Sequence, residues 1–428
     1  MTEPLFDVIV VGAGYSGLAA SYHLKEYGLN HIIFERGKIG ESWRSQRWDN
    51  FRFNSTNKLN ILPGEDPEPA NPDLFPSAHE FVAALQQYVT THQLPVYESS
   101  KVISIEKPGE LFVVSVSCNN EIKKYSCKQV LIASGVANEI KIPLFAKTIP
   151  KDIMQLHTSE YKNADQLPNG AVLVVGSAQS GCQITEDLLH AGRKVYLSTS
   201  MVGRIPRWYR GRDIFYWVKE ARFYDITAGE IKDPKILELR PPQVSGTGNG
   251  RDSMSLQSLS KNGAVILGKM YKADNTTVFF QEDAVQHVRF ADDFSQKIKK
   301  LIDDYITENN LSAPPAHYDE ADIADVEASC ASNITSLDLK ENNIKTIIWS
   351  TGFDHDHSYI KLPVFDEKGK LIHKDGIPEF PGLYFLGYPW LRTRKSPILF
   401  GIIEDVKFVV DKLYASSKEN TKSVSIEI

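Results

Sequence analysis

Gly12, Gly14 and Gly17 stand between a short apolar run, Val8 to Val11, and a stretch of helical spacing that reaches Tyr27. Glycine there allows a tight turn and close approach of a ligand to the backbone. The N-terminus of the helix read from Gly17 to Tyr27 offers free N–H groups and a positive dipole end to a pyrophosphate, with Tyr15 and Ser16 in the turn before it. Glu35 closes the next apolar run, HIIFE, and is followed by Arg36. A carboxylate at that place can hold the two ribose hydroxyls of adenosine. The plainer alternative is a glycine turn that only packs a helix on a strand. A second turn of the same kind lies at Gly176, Ala178 and Gly181, with Gln179 and Ser180 between them. The strand after it ends in Ser198, Thr199 and Ser200 without an acid, and Arg204 and Arg207 follow. A carboxylate would repel a 2′-phosphate, whereas hydroxyl and guanidinium groups bind it. The first turn therefore fits a nucleotide with free ribose hydroxyls, and the second fits NADPH; for the two arginines, a solvated loop is the competing explanation.

These turns need strands and helices to hold them. The chain of 428 residues exceeds the usual single-core size, so two domains are expected. Each turn sits in a βαβ pattern, which predicts an α/β protein with two Rossmann-like units. From Lys101 to Ala133, KVISIEK, LFVVSVS, KKYSCK and VLIAS read as four short strands of an antiparallel meander. Helical spacing is predicted for Phe294 to Asn310 and for Pro397 to Leu413, a strand for Ile344 to Gly352, and a frayed end for Ser416 to Ile428. With 42% hydrophobic and 24% charged residues and a net charge of -6, the chain has no basic stripe of the kind nucleic-acid binders use. No apolar stretch is long enough to span a bilayer, and the start does not read as a secretory signal. Cys118, Cys127, Cys182 and Cys330 form no C-x-x-C, which disfavours a zinc ribbon or a dithiol centre and suits a reducing cytoplasm. The alternating DHDH at Asp354 to His357 lacks a third converging group, so no metal is expected there.

Two such units in one chain resemble the two-dinucleotide-binding-domain flavoproteins, and within them the class B flavin-containing monooxygenases, especially their bacterial branch. The segment GESWRSQRWDNFRFNSTNKLNILPG, Gly40 to Gly64, resembles the family's G-G-x-W segment, with Glu41 in place of the second glycine. The resemblance lays Trp43 and Arg44 along FAD and matches Asn54 to the asparagine beside the reactive edge of the flavin. Plain core packing is the alternative for Trp43, Trp48 and Phe51. LIASGVANEIKIP resembles the A-T-G segment, with Ser134 for threonine before Gly135, and WSTGFDHD resembles the later T-G-[FY]-x-x-D segment, with Asp354 taken as its acid. His157 and Tyr161 match half of the monooxygenase fingerprint F-x-G-x-x-x-H-x-x-x-[WFY], while Lys151 and Ile153 replace its first two residues; a structural role for His157 is the alternative.

The resemblance implies a FAD domain in two parts, 1–163 and 333–428, with an NADPH domain, 164–332, inserted between them. It implies hydride transfer from NADPH to FAD, capture of O2 as a flavin C4a-hydroperoxide, and oxygenation of a small organic substrate at nitrogen, sulfur or a carbonyl. Asn54 would orient oxygen or substrate, and the start of the last helix would lie under the flavin pyrimidine ring with Arg392, Arg394 and Lys395 nearby. RWYRGRDIFYWVKEARFYDI would shape the substrate entrance, and VSGTGNGRD, Val244 to Asp252, is glycine-rich enough for a lid or a turn. Three other functions are weighed: a pyridine-nucleotide disulfide reductase, of related scaffold but disfavoured by the absence of a C-x-x-C; an NADPH oxidase or flavin reductase without a specific organic substrate; and a non-catalytic FAD-binding regulator. A homodimer is expected from base rates alone.

Overall fold

The computed structural model describes residues 5–136, 139–238, 241–244 and 253–424. Its first sheet grows around β1 (Leu5–Val11), in which Val8, Ile9 and Val10 have no exposed surface. A parallel strand covered on both faces reads as a continuous apolar run, which is why this one was legible. α1 (Tyr15–Glu26) returns the chain to β2 (His31–Phe34), parallel to β1. Next come the short α2 (Glu41–Ser45) and α3 (Ala78–His92), which starts on a capping box of Ser77 and Glu80. β3 (Val96–Tyr97) pairs with β2. β4 (Lys101–Glu106), β5 (Phe112–Cys118) and β6 (Glu121–Ile132) form the expected meander, but with three strands rather than four. KKYSCK and VLIAS fuse because β6 serves two neighbours. Residues 121–127 pair with β5 on one edge, and residues 126–132 pair with β1 on the other. The strand Leu383–Phe385 then takes over the edge that β5 leaves. With β2 on one side of β1 and β6 on the other, the carboxyl ends open a crevice at the topological switch point.

The second sheet repeats this plan. Ala171–Val175 lies between Val195–Ser198 and Ile344–Trp349, with Val265–Leu267 and Met154–His157 outside them, all parallel. α4 (Gln179–His190) connects Ala171–Val175 to Val195–Ser198. The expected divisions at 163/164 and 332/333 each leave one strand of this sheet, Met154–His157 and Ile344–Trp349, on the far side. Strand character was read for Ile344–Gly352 but not for Met154–His157, and the sheet that recruits each strand could not be read for either.

Two helices are longer than their periodicity suggested. Ala284–Glu308 starts ten residues earlier than expected, with His287, Asp292 and Ser295 buried among its apolar positions. The C-terminal helix Leu399–Val424 runs into the segment expected to fray, whose last four residues lie outside the described ones. α5 (Ile214–Glu220) packs Ile214, Phe215, Trp217 and Val218 into a small core with Ile298, Ile302 and Ile306. The partly buried Ile398 and Phe400 join that core, tying the region to the start of the last helix. No described helix is long and apolar enough to cross a membrane.

Candidate functional site

The first glycine turn is held by contacts that exclude a side chain. Gly12 has φ +106°, and a Cβ there would lie 2.6 Å from the Ala133 carbonyl oxygen. A Cβ on Gly17 would lie 2.0 Å from the carbonyl oxygen of Gly12. The end of β1, the start of α1 and the segment Ala133–Gly135 after β6 therefore cross within backbone contact. Gly14 differs: a Cβ there meets nothing within 4 Å. α1 begins at Gly14 without a side-chain cap, leaving its first N–H groups for a ligand.

Beside the turn runs a cleft lined by Gly12, Gly14, Tyr15, Ser16, Glu35 and Arg36 at its centre and one end. Glu35 Oε2 accepts from the Ala13 N–H (2.8 Å) and Oε1 from the Gly37 N–H (2.9 Å). Burial pushes this carboxyl above the ordinary carboxylate range, against the pull of those two donors and Arg36. Each oxygen keeps a lone pair for a hydroxyl.

Trp43, Ser134 and Gly135 also line the cleft, as expected. Arg44 does not: it is exposed and acts on Glu98. Arg47 lines the cleft instead. It lies just past the end of α2, and no spacing in the sequence marked it over Arg44. Asp354 is likewise corrected. It is exposed and paired with Lys141 (3.0 Å) in a two-stranded ribbon, whereas Asp356 reaches the cleft. Counted from Thr351, the T-G-[FY]-x-x-D spacing itself falls on Asp356. Tyr359, Lys101 and Val102 complete this end and had no sequence signal. Asn54 is not among the lining residues; it is partly buried on the loop after α2, and its carbonyl accepts from Arg207 Nη1 (2.8 Å).

Ser134 Oγ lies within hydrogen-bond distance of the hydroxyls of Tyr359 (3.1 Å) and Tyr388 (3.2 Å). Behind them His357 stacks on Phe365 (4.9 Å, 11°), and its Nδ1 is buried without a partner. Burial, then neighbouring His355, pull its pKa from the ordinary 6.5 to about 4. Between those pH values the folded chain binds fewer protons at His357 than the unfolded chain, so stability falls as pH drops through that window. His357→Phe is expected to flatten the fall. Urea unfolding from pH 7 to pH 4, run beside the wild type, checks this, and an unchanged slope would refute it.

The second turn is built on the same contacts. Gly176 has φ +109°, and its Cβ would lie 2.4 Å from the Ser350 carbonyl oxygen; a Cβ on Gly181 would lie 1.9 Å from the Gly176 carbonyl oxygen. Ser350, Thr351 and Gly352 thus stand to this turn as Ala133, Ser134 and Gly135 stand to the first. α4 starts at Ala178 without a side-chain cap, with Gln179 and Ser180 partly exposed.

The four residues assigned to a 2′-phosphate are placed otherwise. Ser198 Oγ donates to the Gly268 carbonyl (3.0 Å), and Thr199 Oγ1 donates to that of Leu267 (2.6 Å); both residues are buried. Arg204 is buried between Asp292 (2.6 Å) and Asp322. Arg207 is buried against Asp213 and lies over the ring of Phe75 (4.3 Å). Both guanidinium groups are already neutralised inside the protein, so the 2′-phosphate assignment is withdrawn. The exposed cation at this edge among the described residues is Lys269, just past the strand Val265–Leu267.

His157 and Tyr161 are structural in this geometry. His157 bridges Ser159 and the Gly352 carbonyl (3.0 Å), and burial lowers its pKa. Tyr161 donates to Asp187 of α4 (2.7 Å), which also accepts from Asn50 (2.8 Å), so the loop after α2 is tied to the second turn's helix. Near the last helix, Lys395 pairs with Asp225 (2.6 Å) and Glu404 (2.7 Å), and Arg392 with Asp405 (3.3 Å). Among the described residues no cluster of three or more metal-binding side chains occurs. Residues 245–252 of the glycine-rich VSGTGNGRD lie outside the described residues.

The profile of the pyridine nucleotide-disulphide oxidoreductase family matches residues 9–225. An uncharacterized CzcO-like oxidoreductase of Geobacillus kaustophilus is 29% identical over 417 residues, covering 96% of this chain and 99% of that one. A double mutant of the flavin monooxygenase from Stenotrophomonas maltophilia shares the fold with a TM-score of 0.66 at 18% identity, over 96% of this chain and 98% of that one. OTEMO, solved with FAD and NADP, superposes with a TM-score of 0.57 at 13% identity, over 98% of this chain and 87% of that one.

Proposed function

Since the chain belongs to the pyridine nucleotide-disulphide oxidoreductase family, we propose that it is an NADPH-dependent monooxygenase acting through a flavin C4a-hydroperoxide on a nitrogen, sulfur or carbonyl centre of a small organic molecule. It is a flavin-dependent oxidoreductase whose cofactors are FAD and NADPH. The observation that carries the reading is the spatial repeat of two side-chain-free turns, each crossed by the segment after a parallel strand. Disulfide chemistry is the weaker alternative within the family: all four cysteines are free, and burial pushes the Cys127 thiol up to about 12. Such chemistry needs a paired, accessible, low-pKa thiol.

The residues at the first turn fit FAD. Gly14, Tyr15 and Ser16 would hold the pyrophosphate and Glu35 the ribose, with Trp43, Ser134 and Gly135 along the cofactor. The second turn, with Gln179 and Ser180, would hold NADPH. FAD, when bound, supplies the redox chemistry, and the protein's part is to position and to exclude water. Asn54 would orient oxygen or substrate from the loop after α2, and Arg207 fixes the backbone carbonyl of that residue.

The test is anaerobic reduction of the flavin-bound protein with NADPH and with NADH, followed by mixing with oxygenated buffer while the flavin spectrum is recorded. Fast reduction by NADPH and a long-lived band to the blue of oxidised flavin are expected. Immediate return to oxidised flavin with peroxide release would favour an oxidase, and no reduction by either nucleotide would overturn the reading.

A further inference from the structure

Arg47 lines the cleft with its guanidinium over the rings of Trp43 (4.4 Å) and Phe51 (5.4 Å). Its Nη1 donates to the carbonyl of Gln46 (2.9 Å), and no described carboxylate perturbs it. A second positive charge stands close: Lys162 Nζ donates to the Arg47 carbonyl (2.9 Å), and the two cations repel. Asp49, the acid nearest in sequence, accepts from Asn163 (2.6 Å) and acts on Lys162. On either side of Arg47, Gln46 Oε1 and Trp48 Nε1 are buried without hydrogen-bond partners. Burial pulls the guanidinium down to about 10. A half-buried cation held on two rings beside a second cation, with no described carboxylate on it, gains from a ligand that answers its charge.

The pyrophosphate of the cofactor has its own donors at the start of α1. Arg47 is instead carried by the loop between the two cores: Trp48 packs in the core of the second sheet, Trp43 packs against that of the first, and Phe51 touches both. We propose that Arg47 is the anion-recognition residue of the substrate site, and that the substrate is a small organic molecule bearing a carboxylate or a similar oxyanion. The planar fork binds two such oxygens at once, and the rings of Trp43 and Phe51 fix its plane. The proposal rests on the reading of the first turn as the flavin site.

The experiment titrates the oxidised, FAD-bound protein with benzoate and with its neutral analogue benzamide, following the flavin visible spectrum, for wild type, Arg47→Gln and Arg47→Lys. Benzoate should perturb the wild-type spectrum saturably and bind far more tightly than benzamide. Arg47→Gln should weaken benzoate by on the order of tenfold or more, a larger loss than any in FAD per chain, and Arg47→Lys should fall between. Equal binding of benzoate and benzamide, or unaltered benzoate binding in Arg47→Gln, would overturn the proposal. Loss of FAD in step with benzoate would also overturn it, because the anion would then be the cofactor's phosphate. Should Arg47→Gln not fold, the lysine variant decides, since it keeps charge but loses the fork and must weaken benzoate more than FAD. The titration needs no reduction step, so a failure of NADPH to reduce the flavin would sink the monooxygenase reading and leave this result readable.

Discussion

Gly17→Ala is expected to give a chain that retains no FAD and melts well below the wild type. The added Cβ would lie 2.0 Å from the Gly12 carbonyl oxygen and 3.5 Å from the Ala133 side chain, with backbone on the near side. Neither neighbour can swing away. α1 must back off from β1, which costs about 1–3 kcal/mol of overpacking and carries its N–H groups away from the phosphate position. Gly14→Ala separates binding from folding. Its Cβ meets nothing in the protein, so the apoprotein should melt as the wild type does while FAD binds roughly tenfold or more weakly, because the methyl projects into open space beside the turn. Gly181→Ala, whose Cβ would lie 1.9 Å from the Gly176 carbonyl oxygen, should keep FAD and lose reduction by NADPH. Flavin-to-protein ratio, melting temperature and anaerobic reduction measure all three. Full flavin occupancy in Gly17→Ala would refute the assignment of the first turn.

The same glycines mark where sequence was sufficient. A turn that cannot bear side chains writes itself into the sequence, and both turns were found with the strand before and the helix after each. Side-chain partnership left no such mark. Arg204 looked available because its acids, Asp292 and Asp322, come 88 and 118 residues later and meet it only through the fold. Arg207 was closer to legible, since Asp213 follows six residues on. The choices of Arg44 over Arg47 and Asp354 over Asp356 were errors of register. In each case a neighbour of the right chemistry was taken: the spacing from Thr351 counts to Asp356, whereas Arg47 lies past the end of α2, where no spacing favours it. Met154–His157 and Ile344–Trp349 both fell in the expected FAD parts and both join the second sheet, because sequence does not say which sheet recruits a strand.

Arg207→Met is expected to destabilise the protein by about 3–5 kcal/mol, as removal of one partner from a buried ion pair does. It leaves Asp213 Oδ2 without its guanidinium donors and removes the bond from Nη1 to the Asn54 carbonyl. The loss should depend on pH. Burial already raises the Asp213 pKa while Arg207 opposes it, so removing the cation lifts it further. An acid whose folded pKa is raised holds its proton more tightly in the folded state, so the variant should regain stability as pH falls from 8 toward 5, relative to the wild type. Adding Asp213→Asn removes the orphaned charge yet keeps an oxygen for the Phe215 N–H at the start of α5, where Asp213 Oδ1 now accepts (2.8 Å). The double variant should therefore recover most of the stability and bind FAD. It does not restore the bond from position 207 to the Asn54 carbonyl, because methionine has no donor. If Asn54 acts beside the flavin from a position that Arg207 sets, the double variant will be stable and reducible by NADPH, but will release more peroxide per NADPH and reoxidise faster than the wild type. Wild-type peroxide yield in a stable double variant would show that Arg207 serves the fold alone, and that the loop after α2 holds Asn54 without it.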